Sequence, residues 1–340
     1  MNEATILEHL ANIIDPDNNR PVTDFIKKIV INDSKIVFSL EYPNLKDAAE
    51  ITRKEHLKDK CIEAIQQLKG ITEVKAAVTS NQNTNAGKQK ASLPSVKKII
   101  LIASGKGGVG KSTIAANLAI TLMNMGNKVG LLDADIYGPS LPKLFDIQRK
   151  PIIEDDKMVP LNKYGLQIMS IGFLVDPEEA VVWRGPMVSK ALHQLLRFTS
   201  WSNLDYLIID TPPGTGDVHL TIAENYAIDG AIVISTPQQL ATIDAMKGVN
   251  MFGKLGVPVL GIIENMSHFM QDGAQIYIFG KGGGKELARK NNLKFLGEIP
   301  LSPEMAATSD SGKPLTYFGK NKDVCEAFNH IAAGINLCSQ

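Results

Sequence analysis

Apolar positions change their rhythm once along the chain. In the first part the pattern is mixed. Ile6, Leu7, Leu10, Ile13 and Ile14 recur at helical spacing. Residues 25–31 and 35–40 read as strands, and Asn32-Asp33-Ser34 between them is turn chemistry, which predicts a β-hairpin. Leu57, Cys61, Ile65 and Leu68 lie on one stripe of a second helix, and Val74, Ala76 and Val78 alternate in a strand over 71–79. The order helix, strand, strand, helix, strand predicts a small α+β domain over residues 1–80.

The stretch SNQNTNAGKQKASLPS that follows has no period and is almost wholly polar, which predicts a flexible linker over 81–96. Beyond it strands and helices alternate. Strands are expected at 97–103, 128–133, 204–210, 230–235, 257–264 and 294–297, with helices near 111–125, 186–200, 238–254 and 321–336. The runs IILIA, YLIID, AIVIS and VLGII are continuously apolar, as strands covered on both faces are. Residues 97–340 therefore predict a doubly wound α/β domain with a mostly parallel sheet.

Charge and composition then remove several function classes. Lysine plus arginine and aspartate plus glutamate both number 36 in 340 residues, so no global field draws the chain to nucleic acid or to an anionic membrane. Neither partner is expected. No apolar run nears the roughly 20 residues of a membrane span, and the opening MNEATILEHL carries acids where a signal peptide carries cations. Three scattered cysteines, Cys61, Cys325 and Cys338, make no disulfide framework. A reduced, cytoplasmic protein is expected, with Cys61 a buried thiol on its apolar stripe.

The chemistry starts at the end of the first strand of the larger domain. Gly105-Lys106-Gly107-Gly108-Val109-Gly110-Lys111-Ser112 fits the P-loop pattern between a strand and a helix. Its glycines let backbone N–H groups turn in on phosphates; Lys111 reaches the β- and γ-phosphates, and the Ser112 hydroxyl is placed to ligate Mg²⁺. Asp133 and Asp135 end a second strand, where carboxylates organise a metal's water shell and the attacking water. Asp210 ends a third, near Mg²⁺, and Gly214 just beyond it can offer an N–H to the γ-phosphate. Asn265 follows the strand VLGIIE at the carboxyl edge of the sheet, where its amide can pair with adenine N6 and N7, favouring ATP over GTP.

The extra lysine in GKGGVGKS resembles that of the deviant Walker ATPases, in which this residue crosses a dimer interface. The resemblance makes Lys106 a trans-acting cation, Asp135 the residue for the water and Asp133 that for the metal shell. Longer stretches narrow it. IYGPSLP (136–142), VWRGPM (182–187), DTPPGTGDVHLT (210–221), the run 236–252, ENMSHF (264–269) and IFGKGGG (278–284) resemble the Mrp/ApbC family of iron–sulfur cluster carriers. The first 80 residues resemble the small iron–sulfur-assembly-associated domain fused to that ATPase. This implies a Mg-dependent, slow ATPase acting as a nucleotide-gated homodimer that hands an iron–sulfur cluster to apo-proteins.

Two other classes share the loop. The MinD/ParA branch organises cells on membrane or DNA, but the tail 321–337 has Lys322 as its one cation beside the apolar stripe Val324, Phe328, Ile331 and Ile335, which predicts core packing rather than membrane anchoring. A reductase ATPase like the nitrogenase iron protein needs its own cluster cysteines. The chain also departs from the carriers, many of which have Cys-x-x-Cys shortly after ENMS; here Gln271 and Ala274 stand at those positions. Neither offers a thiolate, so no cluster ligand is assigned and a cluster-independent ATPase adaptor is the alternative. Cys325 and Cys338, thirteen residues apart, would stand about 20 Å apart on one helix.

Overall fold

The computed structural model describes residues 3–32, 34–42, 48–68, 70–80, 90–175, 185–319 and 321–338. It divides into two compact units, Met1–Lys88 and Gln89–Gln340. Asp33 of the expected turn, 81–89 of the expected linker and 182–184 of the VWRGPM stretch lie outside the described residues.

In the first unit, helices α1 (Glu3–Leu10) and α2 (Ala48–Gln66) accompany strands β1 (Ile26–Asn32), β2 (Lys35–Tyr42) and β3 (Glu73–Ser80). β1 and β2 pair antiparallel as a hairpin, and β3 adds parallel to β2. Alternate residues of β2, Ile36, Phe38, Leu40 and Tyr42, point into the core, where they meet Ile6, Leu10, Cys61 and Ile65. The α2 stripe thus buries as expected, and Cys61 is fully buried, its thiol pushed up to about 12 by that burial. A two-residue ladder, Ile14–Asp15 with Arg20–Pro21, closes a loop around a buried ion pair. There the Lys54 ammonium is held by Asp15 and Asp17.

The second unit is built on one sheet. Its strands are β4 (Val96–Ser104), β5 (Val129–Asp133), β6 (Leu161–Lys163), β7 (Leu166–Ser170), β8 (Leu204–Asp210), β9 (Gly230–Ser235), β10 (Val259–Gln271), β11 (Ala274–Ile276) and β12 (Phe295–Leu301). Their order is β6-β7-β5-β8-β4-β9-β10-β11, with β12 also beside β10. Pairings are parallel except at β6–β7 and β10–β11, the mostly parallel sheet that continuous apolar strands require. The sheet is wider than the sequence pattern predicts. β6 and β7 are too short to give a clear period, and β10 runs past Glu264 to Gln271.

Helix α3 (Lys111–Asn124) follows β4 and is buried on nearly every side, which its alanine-rich sequence allows in a tight space. Its buried Asn117 is satisfied from both ends: Nδ2 donates to the Thr113 carbonyl at 2.9 Å and Oδ1 accepts from Thr316 N at 3.0 Å. The last helix, α11 (Lys322–Cys338), buries Val324, Phe328, Ile331 and Ile335 completely against the core, so its stripe is structural. Ala91 and Leu93, within the stretch read as linker, also belong here: Ala91 N donates to the Asn225 carbonyl and Leu93 enters the core. No described helix is long and apolar enough to cross a membrane.

Candidate functional site

The carboxyl ends of β4, β5, β7 and β8 converge, because parallel register places Asp210 beside both Ile102 and Asp133, and Ser170 beside Asp133. The chain leaves β4 at Ser104 and turns through 105–110 into α3. Two glycines of this loop are fixed by space. A Cβ on Gly105 would stand 2.1 Å from the Asp244 carbonyl carbon of helix α7 (Gln239–Lys254), and one on Gly110 would stand 2.4 Å from Asn265 Nδ2. Gly110 also has φ 82°, a left-handed conformation natural to glycine, and caps α3. Gly107 and Gly108 are exposed and Val109 is buried. Lys106 is half-buried, and its ammonium makes no ion pair among the described residues.

Lys111 and Asp210 face each other across this junction, Nζ to Oδ1 at 2.5 Å, both almost sealed from water. Ser112 Oγ lies 3.3 Å from the same ammonium. Burial pushes the Asp210 carboxyl above its ordinary range, and the neighbouring Lys111 charge opposes that shift. Its other oxygen, Oδ2, is buried without a hydrogen-bond partner. An orphaned carboxylate oxygen next to a serine hydroxyl is the donor set a hard divalent cation takes.

Asp133 is differently placed. Its Oδ2 accepts from Ser140 N, Leu141 N and Ser170 Oγ at 2.9, 3.1 and 3.1 Å, and Oδ1 accepts from Asp135 N at 3.1 Å. Four donors tie this carboxylate to the 134–141 loop and to β7, with Oδ1 the less engaged oxygen. Burial and the nearby Asp210 charge raise its affinity for a proton. Asp135 is half-buried with one oxygen accepting from Gly138 N, and opens on a pocket with Tyr137, Pro213, Asp217 and His219. Desolvation raises its carboxyl too, against the pull of Lys111.

Three residues that sequence reasoning passes over organise the rest. Ser104 works in two directions: its carbonyl accepts from Gly214 N at 2.8 Å and its hydroxyl donates to the Lys106 carbonyl at 3.0 Å. The Gly214 N–H expected to face the γ-phosphate is therefore engaged by Ser104 in this structure. Thr211 and His219 close the same loop, Oγ1 to Nε2 at 2.9 Å. Thr211 also bonds the Ile102 carbonyl at 2.9 Å, which can only accept, so the threonine donates there and His219 donates from Nε2. His219 is fully buried, and desolvation depresses its imidazole to about 4, keeping it neutral. Only the polar residues at strand ends hint at these roles, because Thr211 and Ile102, 109 residues apart, meet only once the strands pair.

Asn265 is buried on β10 and its Nδ2 donates to the Val109 carbonyl at 2.8 Å, while Oδ1 has no partner. The residue thus clamps the P-loop and keeps an unused acceptor. Next to it Glu264 accepts from Gly284 N, so the GKGGG turn before helix α8 (Gly283–Lys290) is pinned beside the P-loop.

β10 continues from Asn265 into a hairpin with β11, where Gln271 and Ala274 are cross-strand partners joined by Asp272 and Gly273. Both turn residues have positive φ, 51° and 81°, as a two-residue hairpin turn demands. No thiolate stands there. α11 runs unbroken from Lys322 to Cys338, which places the two tail cysteines about 20 Å apart along its axis. Among the described residues no group of three or more His, Cys, Asp and Glu side chains is placed to hold a metal ion by itself.

A glycine loop opening a buried helix, with its lysine on a strand-end aspartate, defines a P-loop nucleoside triphosphatase. Residues 95–336 match the NUBPL iron-transfer P-loop NTPase family, and residues 3–78 match an iron–sulfur cluster assembly protein family. The chain belongs to the NUBPL iron-transfer P-loop NTPases. An iron–sulfur cluster carrier protein of Rickettsia felis is 41% identical over 321 residues, covering 93% of this chain and 96% of the relative. One from Aquifex aeolicus is 50% identical over 245 residues, 71% of this chain and 67% of its own. Among solved structures, a nucleotide-binding protein of Archaeoglobus fulgidus in complex with ADP superposes with TM-score 0.61 and 38% identity, over 69% of this chain and 93% of that one.

Proposed function

We propose that this chain is an ATP-hydrolysing iron–sulfur cluster carrier, a homodimer that delivers its cluster to apo-proteins under nucleotide control. The observation that carries the nucleotide half is the buried Lys111–Asp210 pair at the mouth of the glycine loop. Its ammonium is stored where a triphosphate would draw it away. The cargo half rests on likeness to cluster carriers across 93% of the chain. The small domain is proposed to span 1–80, and the ATPase to begin by Ala91 rather than at 97 and to run to 340.

In this mechanism the amides of Gly105–Ser112 bind the phosphates, and Lys111 swings from Asp210 to the β- and γ-phosphates. Ser112 Oγ and Asp210 Oδ2 would hold Mg²⁺, which neutralises charge on those phosphates when bound. Asp135 holds the attacking water, whose oxygen bonds the γ-phosphorus as the bond to the bridging oxygen breaks. Gly214 exchanges Ser104 for the γ-phosphate, so the switch loop moves with the nucleotide. Asn265 Oδ1 accepts from adenine N6–H, and Lys106 reaches the partner subunit's nucleotide. The cargo is bound weakly or through ligands outside the Gln271–Ala274 hairpin.

The test is anaerobic reconstitution with iron and sulfide, followed by an iron count per dimer and transfer to an apo-ferredoxin with and without Mg-ATP. Nucleotide-dependent transfer is the expected result. If no cluster binds while ATP still changes the dimer, a cluster-independent adaptor replaces the carrier.

A further inference from the structure

A groove on the ATPase unit has both its walls suspended from one carboxylate. One wall is Pro142 and Lys143 of the short helix α4 (Leu141–Leu144), whose opening amides donate to Asp133 Oδ2. The other is Gly172 and Phe173, just beyond Ser170. Gly172 N donates to Ser170 Oγ, and Ser170 Oγ donates in turn to the same Asp133 Oδ2. The walls also touch, for a Cβ on Gly172 would stand 2.8 Å from Pro142 Cγ. Neither can shift without the other.

The groove is basic on a chain whose formal charge is zero. Among its described lining residues Lys143, Arg149 and Lys150 stand with Asp146 as the one acid, and none of the three cations makes an ion pair among the described residues. Lys163 adds a fourth cation at the rim, its ammonium 3.0 Å from the Asp146 carbonyl. The chain then presents two large apolar side chains to solvent, Ile152 at 61% and Ile153 at 72% exposure. These isoleucines, and the acids Glu154, Asp155 and Asp156 after them, stand outside the described lining of the groove, the isoleucines nearer in sequence to Lys150. Cations beside exposed isoleucines match a segment that carries both carboxylates and aliphatic side chains. A free polyanion or a nucleic acid would leave the isoleucines uncovered.

We propose that this groove docks an acidic, leucine-bearing segment of a partner protein, and that nucleotide state sets its affinity through Asp133. Asp133 is the cross-strand neighbour of Asp210, whose pairing with Lys111 is what a bound triphosphate would break. Changing that charge alters the field on Asp133 and on the three donors from which the walls hang. This coupling rests on the nucleotide-site assignment above, whereas the docking does not.

The experiment uses the full chain and a short fluorescein-labelled peptide of alternating Glu and Leu, followed by anisotropy with and without Mg-ATP. The triple variant Lys143→Glu/Arg149→Glu/Lys150→Glu is expected to weaken peptide binding by at least about tenfold while ATP binding stays unchanged. Equal peptide affinity for native and charge-reversed protein overturns the docking site. So does binding of inorganic polyphosphate or phosphatidylglycerol vesicles without binding of the peptide. In native protein Mg-ATP is expected to change peptide affinity several-fold. Ser170→Ala should reduce that difference, and Ser170→Thr, which keeps the hydroxyl, should restore it. A difference of zero in native protein that still binds ATP overturns the coupling alone, and a loss of ATP binding itself counts against the nucleotide site.

Discussion

The Lys111 ammonium rests 2.5 Å from Asp210 Oδ1, inside a region closed to water. Removing one member of such a pair leaves the other charge buried, at about 3–5 kcal/mol. Lys111→Ala is therefore expected to lose tight triphosphate binding and stability together. The double variant Lys111→Met/Asp210→Asn should recover stability by denaturant titration and still fail to bind ATP in calorimetry. Undiminished ATP affinity in either variant would show that the loop is not the nucleotide site.

In the proposed homodimer Asp135 and Lys106 divide the work between subunits. Asp135→Ala is expected to bind ATP and not turn it over. Lys106→Ala should lose most turnover, since trans-acting cations contribute roughly 10³–10⁵ in related chemistry. Mixing the two variants rebuilds one complete site per mixed dimer. Phosphate release should reappear on mixing, and its absence from verified mixed dimers would place Lys106 in its own subunit's site.

His219 gives the fold an acid sensitivity. Its imidazole titrates at about 4 when buried, against an ordinary 6.5 once unfolded. A depressed value means the unfolded chain takes the proton first, so stability falls as pH drops through that window. The loss between pH 7 and pH 5 is about 2 kcal/mol from this residue. Chemical denaturation at the two pH values should show it, and His219→Gln should flatten the dependence while Gln still meets Thr211. An unchanged slope in that variant would exclude His219 as the source.

Asn265 has one task in the structure and a second in the proposed mechanism, and a pair of variants separates them. Asn265→Ala frees the buried Val109 carbonyl, at about 1–3 kcal/mol of stability, and removes the proposed acceptor for adenine. Asn265→Asp removes the donor but keeps an acceptor, and is expected to shift preference from ATP toward GTP. Competition between the two nucleotides measures it; equal preference in native and Asp variants would confine Asn265 to holding the loop.

Two thiolates placed in the hairpin are expected to strengthen cargo binding. Gln271→Cys/Ala274→Cys, reconstituted under anaerobic reduction, should hold substantially more iron than the native chain. Simultaneous replacement of Cys61, Cys325 and Cys338 should leave the native iron content unchanged. If that triple variant instead loses a stoichiometric cluster, the ligands are among those cysteines.

The parts of this site visible in the sequence are those whose chemistry is local. Gly105 to Ser112 can be read because a phosphate-binding turn needs glycines in a row, and Val324, Phe328, Ile331 and Ile335 because one helix face repeats. Ser170 cannot, since its value comes from a strand neighbour 37 residues away. β7 itself was hidden by its length of five residues. Ser104 was invisible for another reason: its carbonyl does half the work, and every residue has one. Asp133 was legible as a strand-end acid, but its four hydrogen bonds depend on how the following loop folds back.

The hairpin at Gln271 and Ala274 has a consequence for life with oxygen. Sulfur oxidises stepwise from thiolate to irreversible acids, and exposed thiolates go first. This tip has none, and the residues 105–112, 133–135 and 210–219 contain no cysteine either. Peroxide therefore finds no thiolate to oxidise at this hairpin tip or in the three segments that build the nucleotide site.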